Sequence, residues 1–181
     1  MTTTETTSAE EAPDSLAERV NNRSRRPSSD AFREFMGSQW GPRPDPGITR
    51  SAVADYLPAR AIAAGEPFAG ERLVIPAGTY KVRSNDCTYR FRAYSAFAHL
   101  SGLGQEREPD SVIVLEPLPE GGHEAVLYFK PRTSRSSQEF YSDSRYGEFW
   151  VGARPSLEEV ATETGLRCEH IDTLRDALAK D

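Results

Sequence analysis

The clearest run of apolar positions in the chain is "VIVLEPLPEGGHEAVLYF", where Val112 to Leu115 and Ala125 to Phe129 flank a turn rich in proline and glycine. Two short β-branched and aromatic runs around such a turn predict a β-hairpin. Neither run alternates apolar with polar residues, so both faces of the sheet should be covered, and the helices predicted towards the two ends of the chain are the covering elements. Upstream, "ERLVIPAG" has a three-residue apolar centre, Leu73 to Ile75, closed by Pro76 and Gly78, and predicts a short buried strand.

Helical spacing appears on both sides of these strands. Ser29 is placed to cap a helix with Asp30 in its first turn and Phe32, Phe35 and Met36 on one stripe. "GPRPDPG" then breaks it. A second helix is expected from Val53, Tyr56, Leu57 and Ile62 on one side, kinked or restarted at Pro58 and ending near Gly65. "SLEE", from Ser156 to Glu159, has capping-box spacing; Gly165 closes that helix, and Ile171, Leu174 and Leu178 mark a last one. With a short helix near residues 95–101, the order is helix, helix, strand, short helix, hairpin, helix, helix. The expected fold class is α/β, a mixed β-sheet flanked by helices on both faces.

At 181 residues with 37% hydrophobic residues, the chain suits one ordinary domain plus a tail. Residues 2–28 hold almost no large apolar side chain and read as a disordered polar tail, with Arg23, Arg25 and Arg26 solvated within it. The domain is expected over 29–181. A net charge of -6 disfavours nucleic acid as a partner. No run approaches the roughly 18 apolar residues of a membrane span, and the first twelve residues lack the pattern of a secretory signal, so no membrane partner and a cytoplasmic location are expected. Cys87 and Cys168 lie outside any CxxC spacing and read as buried or indifferent thiols.

Catalytic patterns are sparse. His99, His123 and His170 fall in an aromatic-rich helix, a turn and a helix start, without the HExxH spacing that holds a metal, and packing or solvation accounts for each. Nucleotide-binding glycine loops and the GxSxG nucleophile pattern do not occur. The residues alone predict no catalytic centre and no cofactor.

The stretch "RSNDCTYRFRAYSAFAHLSG" (83–102) calls for more than composition. On a strand, Tyr89 and Phe91 would share one face and Arg90 and Arg92 the other; "YSAFAHLSG" would follow as a helix capped by Ser95, with Phe97 and Leu100 inward and Gly102 at its end. The stretch resembles a hallmark of the N-terminal domain of Xaa-Pro aminopeptidases (aminopeptidase P), through Arg83, Ser84, Asp86, Tyr89, Phe91, Arg92, Ser95, Phe97, Leu100, Ser101 and Gly102; His99 stands where an aromatic is usual. The neighbouring segments fall in the family's order. "GEFWVGARPSLEE" resembles its E-x-W-x-G-x-R segment through Glu148, Trp150, Gly152 and Arg154. A creatinase or prolidase relative would share the two-domain plan but fits 88–102 less well.

The resemblance implies a noncatalytic domain with a larger C-terminal "pita-bread" domain beyond Asp181, where Asp, Asp, His, Glu and Glu bind two manganese ions and the residue preceding proline is cleaved from a peptide. None of those ligands maps onto this sequence. The implied partners are that catalytic domain, other subunits of a homo-oligomer and, indirectly, the peptide substrate. Trp150 and Arg154 are the candidate substrate-binding residues: in oligomeric members the equivalent Trp reaches towards a neighbouring subunit's active site, whereas read as a residue alone Trp150 is a half-buried aromatic at a strand or loop edge. Arg83, Asp86 and Arg92 are expected to tie a loop to a strand end. The alternative reading is a stand-alone protein or peptide interaction module that kept the fold without the peptidase.

Overall fold

The hairpin forms where its apolar runs put it and becomes the centre of the sheet. In the computed structural model, which describes residues 29–85, 87–104 and 106–180, β4 (Val112–Pro117) and β5 (His123–Phe129) pair antiparallel with Val114 opposite Val126. β1 (Leu73–Pro76) pairs antiparallel with β4, and β6 (Arg167–His170) lies parallel to β5, giving a mixed sheet of order β1-β4-β5-β6. A two-stranded ribbon, β2 (Val82–Ser84) with β3 (Cys87–Thr88), stands apart. The tail and its arginines, with Asp86, lie outside the described residues.

Side chains along a strand alternate between faces, and here each face meets its own helical layer. One face of β4 and β5 contributes Ile113, Leu115, Leu127 and Phe129, which pack with Leu57 and Ala61 of α2 (Leu57–Gly65), Phe97 and Leu100 of α3 (Ser95–Ser101) and Val160 of a later helix (Leu157–Thr164). The other face contributes Val114, Val126 and Tyr128, against Ile171, Leu174, Ala177 and Leu178 around the C-terminal helix (Leu174–Leu178). Unbroken apolar runs in β4 and β5 are therefore required, since each position reaches one layer or the other. Burying a side chain such as Phe129 in this way contributes about 2–3 kcal/mol.

Capping chemistry fixes the helix ends. Ser29 accepts from the Phe32 amide at the start of α1 (Asp30–Gly37), and Ser156 and Glu159 form a complete capping box. Gly102 and Gly165 end their helices with left-handed backbone, φ 67° and 72°.

Several expectations are corrected. The inward stripe of α2 is Leu57, Ala61 and Gly65, while Tyr56 and Ile62 are 64% and 60% exposed, because Pro58 starts the helix afresh and sets its phase. β1 is half-buried, with Val74 facing outwards at the sheet's edge. Residues 89–94 are not a strand: Phe91 is buried but Tyr89 is exposed, and the segment bonds to the loop after β1 through the Tyr94 amide and Ala77 carbonyl at 3.0 Å. Ser95 is the first residue of α3 and does not cap it; Tyr94 occupies the cap position without a side-chain bond. Arg83 and Arg92 are exposed, and the tie expected between them and Asp86 lies outside the described residues. Of the thiols, Cys87 is exposed, and Cys168 is half-buried with a pKa pushed up to about 12 by burial and then by Glu169.

One close contact ties α2 to the hairpin. The His123 ring is buried, its Nε2 lies 2.8 Å from the Glu71 carbonyl oxygen, and a Cβ on Gly65 would fall 2.2 Å from Nδ1. Nε2 donates to that carbonyl, while Nδ1, buried without a partner among the described residues, faces Gly65, so the ring cannot step back without losing its bond. Gly65→Ala should therefore lower stability by about 2 kcal/mol in urea unfolding, although alanine is the better helix former by about 1 kcal/mol. In a His123→Ala background the same substitution should be neutral or stabilising.

Candidate functional site

The segment after β5 carries both candidate residues, and glycine geometry explains its shape. A short helix, α4 (Gln138–Ser142), is capped by Ser137 and holds Phe140 and Tyr141 inward. Gly147 then passes so close beneath it that a Cβ would lie 2.5–2.6 Å from the carbonyl oxygens of Asp143, Glu139 and Phe140. One helical turn, α5 (Glu148–Val151), follows and ends at Gly152 with φ 85° and ψ -171°, a conformation that only glycine adopts freely. The chain next enters α6 (Leu157–Thr164).

Glu148 closes this turn on itself. Its Oε1 accepts from the Arg154 amide at 3.2 Å, and its Oε2 accepts from Arg43 Nε at 3.2 Å and from Arg43 Nη2. The spacing E-x-W-x-G-x-R is thus a closed loop: a carboxylate at the start, a glycine to reverse direction, and an arginine whose backbone completes the ring.

Trp150 and Arg154 leave this loop in opposite senses. Trp150 is 57% exposed, its indole Nε1 donating to the Tyr141 carbonyl at 2.6 Å, and it stands beside exposed Phe149 and Val151. One bond orients the ring while its face remains open. The Arg154 side chain is only 9% exposed: Nη2 donates to Glu108 Oε2 at 3.1 Å and to the Lys130 carbonyl at 2.6 Å, and the guanidinium lies 5.0 Å from the centre of the Tyr146 ring.

Glu108 is 5% exposed as a side chain, and burial raises its pKa above the usual carboxylate range against the opposing pull of Arg154 and Arg107. Tyr146 covers the pair. Its hydroxyl donates to Asp110 and its pKa is pushed up to about 12, by burial first and then by Asp110. For Asp110 the upward effect of burial is outweighed by hydrogen bonds from Tyr146, Thr79 and Arg145, so its pKa falls. This anchor was not visible in the sequence, where Glu108 stands in "QEREPD" among charges that read as solvated.

A cleft of about 550 Å³ adjoins the turn, lined by Arg43, Pro44, Pro46, Glu148, Arg154 and Pro155 among others. Its arginines are largely matched by carboxylates, Arg43 by Glu148 and Arg132 by Glu159. Among the described residues no three His, Cys, Asp or Glu side chains converge as metal ligands would. Nor is any described helix long and apolar enough to cross a membrane.

Fold and site together define an α/β domain that presents an oriented aromatic turn on a charged, buried footing. A model of the family "Aminopeptidase P, N-terminal domain" matches residues 59–181. Xaa-Pro aminopeptidase 2 of Streptomyces coelicolor is 40% identical over 145 residues, 80% of this chain and 30% of that protein. Xaa-Pro aminopeptidase 1 of the same organism is 42% identical over 151 residues, 83% of this chain and 30% of that protein. Among solved structures, aminopeptidase P from E. coli superposes with a TM-score of 0.55 at 23% identity, covering 69% of this chain and 26% of that one. Proline aminopeptidase P II from Yersinia pestis gives 0.53 at 24%, with the same coverage of 69% and 26%. The chain belongs to the aminopeptidase P N-terminal domain family, and it spans about 30% of the length of the Streptomyces relatives it matches.

The anchor makes a test. Arg154→Met would leave the Glu108 carboxylate buried without its partner and should cost about 3 kcal/mol at pH 7. The folded-state pKa of Glu108 is raised, so the fold binds this proton more tightly than the unfolded chain does. Its contribution is fully present below the unfolded value near 4.5 and is lost as pH rises through the higher folded value. The Arg154→Met deficit should accordingly shrink as pH falls from 7 to about 4.5, and the Arg154→Met/Glu108→Gln double variant should show no such pH dependence in denaturant unfolding.

Proposed function

We propose that residues 29–181 serve as the noncatalytic N-terminal domain of a manganese-dependent Xaa-Pro aminopeptidase, a cytoplasmic enzyme that removes the N-terminal residue preceding proline from peptides. The catalytic domain and its manganese belong to the part of the relatives' length that this chain does not span. The domain's partners are that catalytic domain and the neighbouring subunits of a homo-oligomer. Its work is to join subunits and to limit which peptides reach the catalytic centre.

The observation that supports this reading best is the exposure of Trp150 on a turn otherwise fixed by directional bonds. An indole held open to solvent beside Phe149 and Val151 is apolar surface suited to being covered by another surface or by substrate. Trp150 is the substrate-facing residue, and Arg154 enters substrate binding through the turn it anchors.

The 181-residue chain, incubated with manganese and an Xaa-Pro peptide, should show no turnover; robust hydrolysis would contradict the domain assignment. In a full-length enzyme carrying this domain, Trp150→Ala should raise KM about tenfold with kcat changed less than twofold, the loss of about 1.4 kcal/mol from one aromatic contact. An unchanged KM would remove Trp150 from the substrate path.

A further inference from the structure

The match to the family model begins at residue 59, yet residues before it also touch the turn that carries Trp150. α1 and the segment after it lie across α4 and α5. Phe32 meets Tyr141 edge to face at 6.0 Å, and Trp40 meets Phe140 at 4.9 Å and Phe149 at 6.4 Å. Trp40 is itself fixed, its Nε1 donating to the Met36 carbonyl at 2.7 Å, and Arg135 Nη1 reaches back to the Gly41 carbonyl at 2.6 Å. Arg43 then makes the decisive contacts, donating to Glu148 Oε2 through Nε and Nη2 and to the Thr133 carbonyl at 2.7 Å through Nη2.

We infer that residues 30–48 are a brace added to the family fold, with Arg43 the positioning residue that fixes the Trp150 turn through Glu148. The other anchors grip Trp150 and Arg154, whereas the Glu148 side chain takes its cation from Arg43. α5 is a single helical turn with no side-chain cap, and the Glu148 side chain is only 8% exposed, so its carboxylate needs a close cation. Arg43 supplies that cation, and the same carboxylate holds the Arg154 amide, which closes the loop around Trp150. The Streptomyces match of 151 residues is too long to fit within 59–181, so those relatives share at least part of the segment that forms the brace.

The brace would make access to Trp150 specific to this branch of the family. Arg43, Pro44, Asp45, Pro46 and Ile48 also line the cleft that Glu148 and Arg154 line, so the Arg43 to Glu148 contact borders open space. The effect on substrate rests on the proposed role of Trp150; the effect on the turn does not.

The test uses Trp40→Phe, which leaves Trp150 as the sole tryptophan. In that background Arg43→Met should raise acrylamide quenching of Trp150 at least twofold and lower its steady-state anisotropy, while far-ultraviolet circular dichroism stays unchanged. Glu148→Gln, nearly isosteric, should act in the same direction, and Arg43→Lys should restore part of the effect. Quenching and anisotropy unchanged in both Arg43→Met and Glu148→Gln would overturn the brace. In the full-length enzyme with Trp40 intact, Arg43→Met should raise KM and leave kcat within twofold, and should add nothing in a Trp150→Ala background. If Trp150→Ala alone leaves KM unchanged, the substrate role of Trp150 fails while the fluorescence result still decides the brace. If Trp150→Ala raises KM and Arg43→Met does not, Arg43 is not a positioning residue.

Discussion

Neither face of the β4–β5 hairpin tolerates water, and the architecture follows from that constraint. Ile113, Leu115, Leu127 and Phe129 face one way, Val114, Val126 and Tyr128 the other, and each set is buried. Two helical layers are needed. The chain supplies them from different regions, with α2, α3 and α6 on one side and the C-terminal helix on the other. A parallel strand beside β5 requires a long crossover, and that crossover contains α4, the Trp150 turn and α6. The connection that closes the sheet is therefore the one that carries the site.

What could be read from the sequence was what depends on neighbours in the chain. The hairpin, the capping box at Ser156 and the glycine at position 165 are local codes, and each folds as its residues indicate. The inward face of α2 was misread because Pro58 at its first turn makes Tyr56 the preceding cap position and turns Ile62 outwards. β6 was missed for a different reason. "RCEH" offers only Cys168 as an apolar residue, and its strand conformation comes from pairing with Val126 to Phe129 some forty residues earlier.

The site was legible in outline and not in mechanism. Glu148, Trp150, Gly152 and Arg154, spaced as the sequence has them, fold into one turn. Its anchors, Glu108 beneath Arg154 and Arg43 beside Glu148, are separated from their partners by 46 and 105 positions. A charged residue in a polar loop has the same sequence signature whether it is solvated or buried against a partner, and only the fold distinguishes the two. In the loop carrying Glu108, backbone at positive φ for Glu106, Glu108 and Asp110 shows how far the chain bends to bring that carboxylate inwards.

A buried ion pair is a weak source of net stability, because desolvation of both charges offsets most of their attraction. Apolar side chains of similar size would hold this turn to the domain at least as firmly. They would not fix its rotation, since dispersion contacts are nearly indifferent to direction, whereas Arg154 satisfies Glu108, the Lys130 carbonyl and the Tyr146 carbonyl only in one orientation. Glu148 adds a second fixed direction through the Arg154 amide, and the Tyr141 carbonyl a third through the indole nitrogen. Three directional constraints on the turn from Gly147 to Arg154 are more than attachment requires. They are what an exposed aromatic ring requires if it is to meet a second surface at a set angle without being buried first.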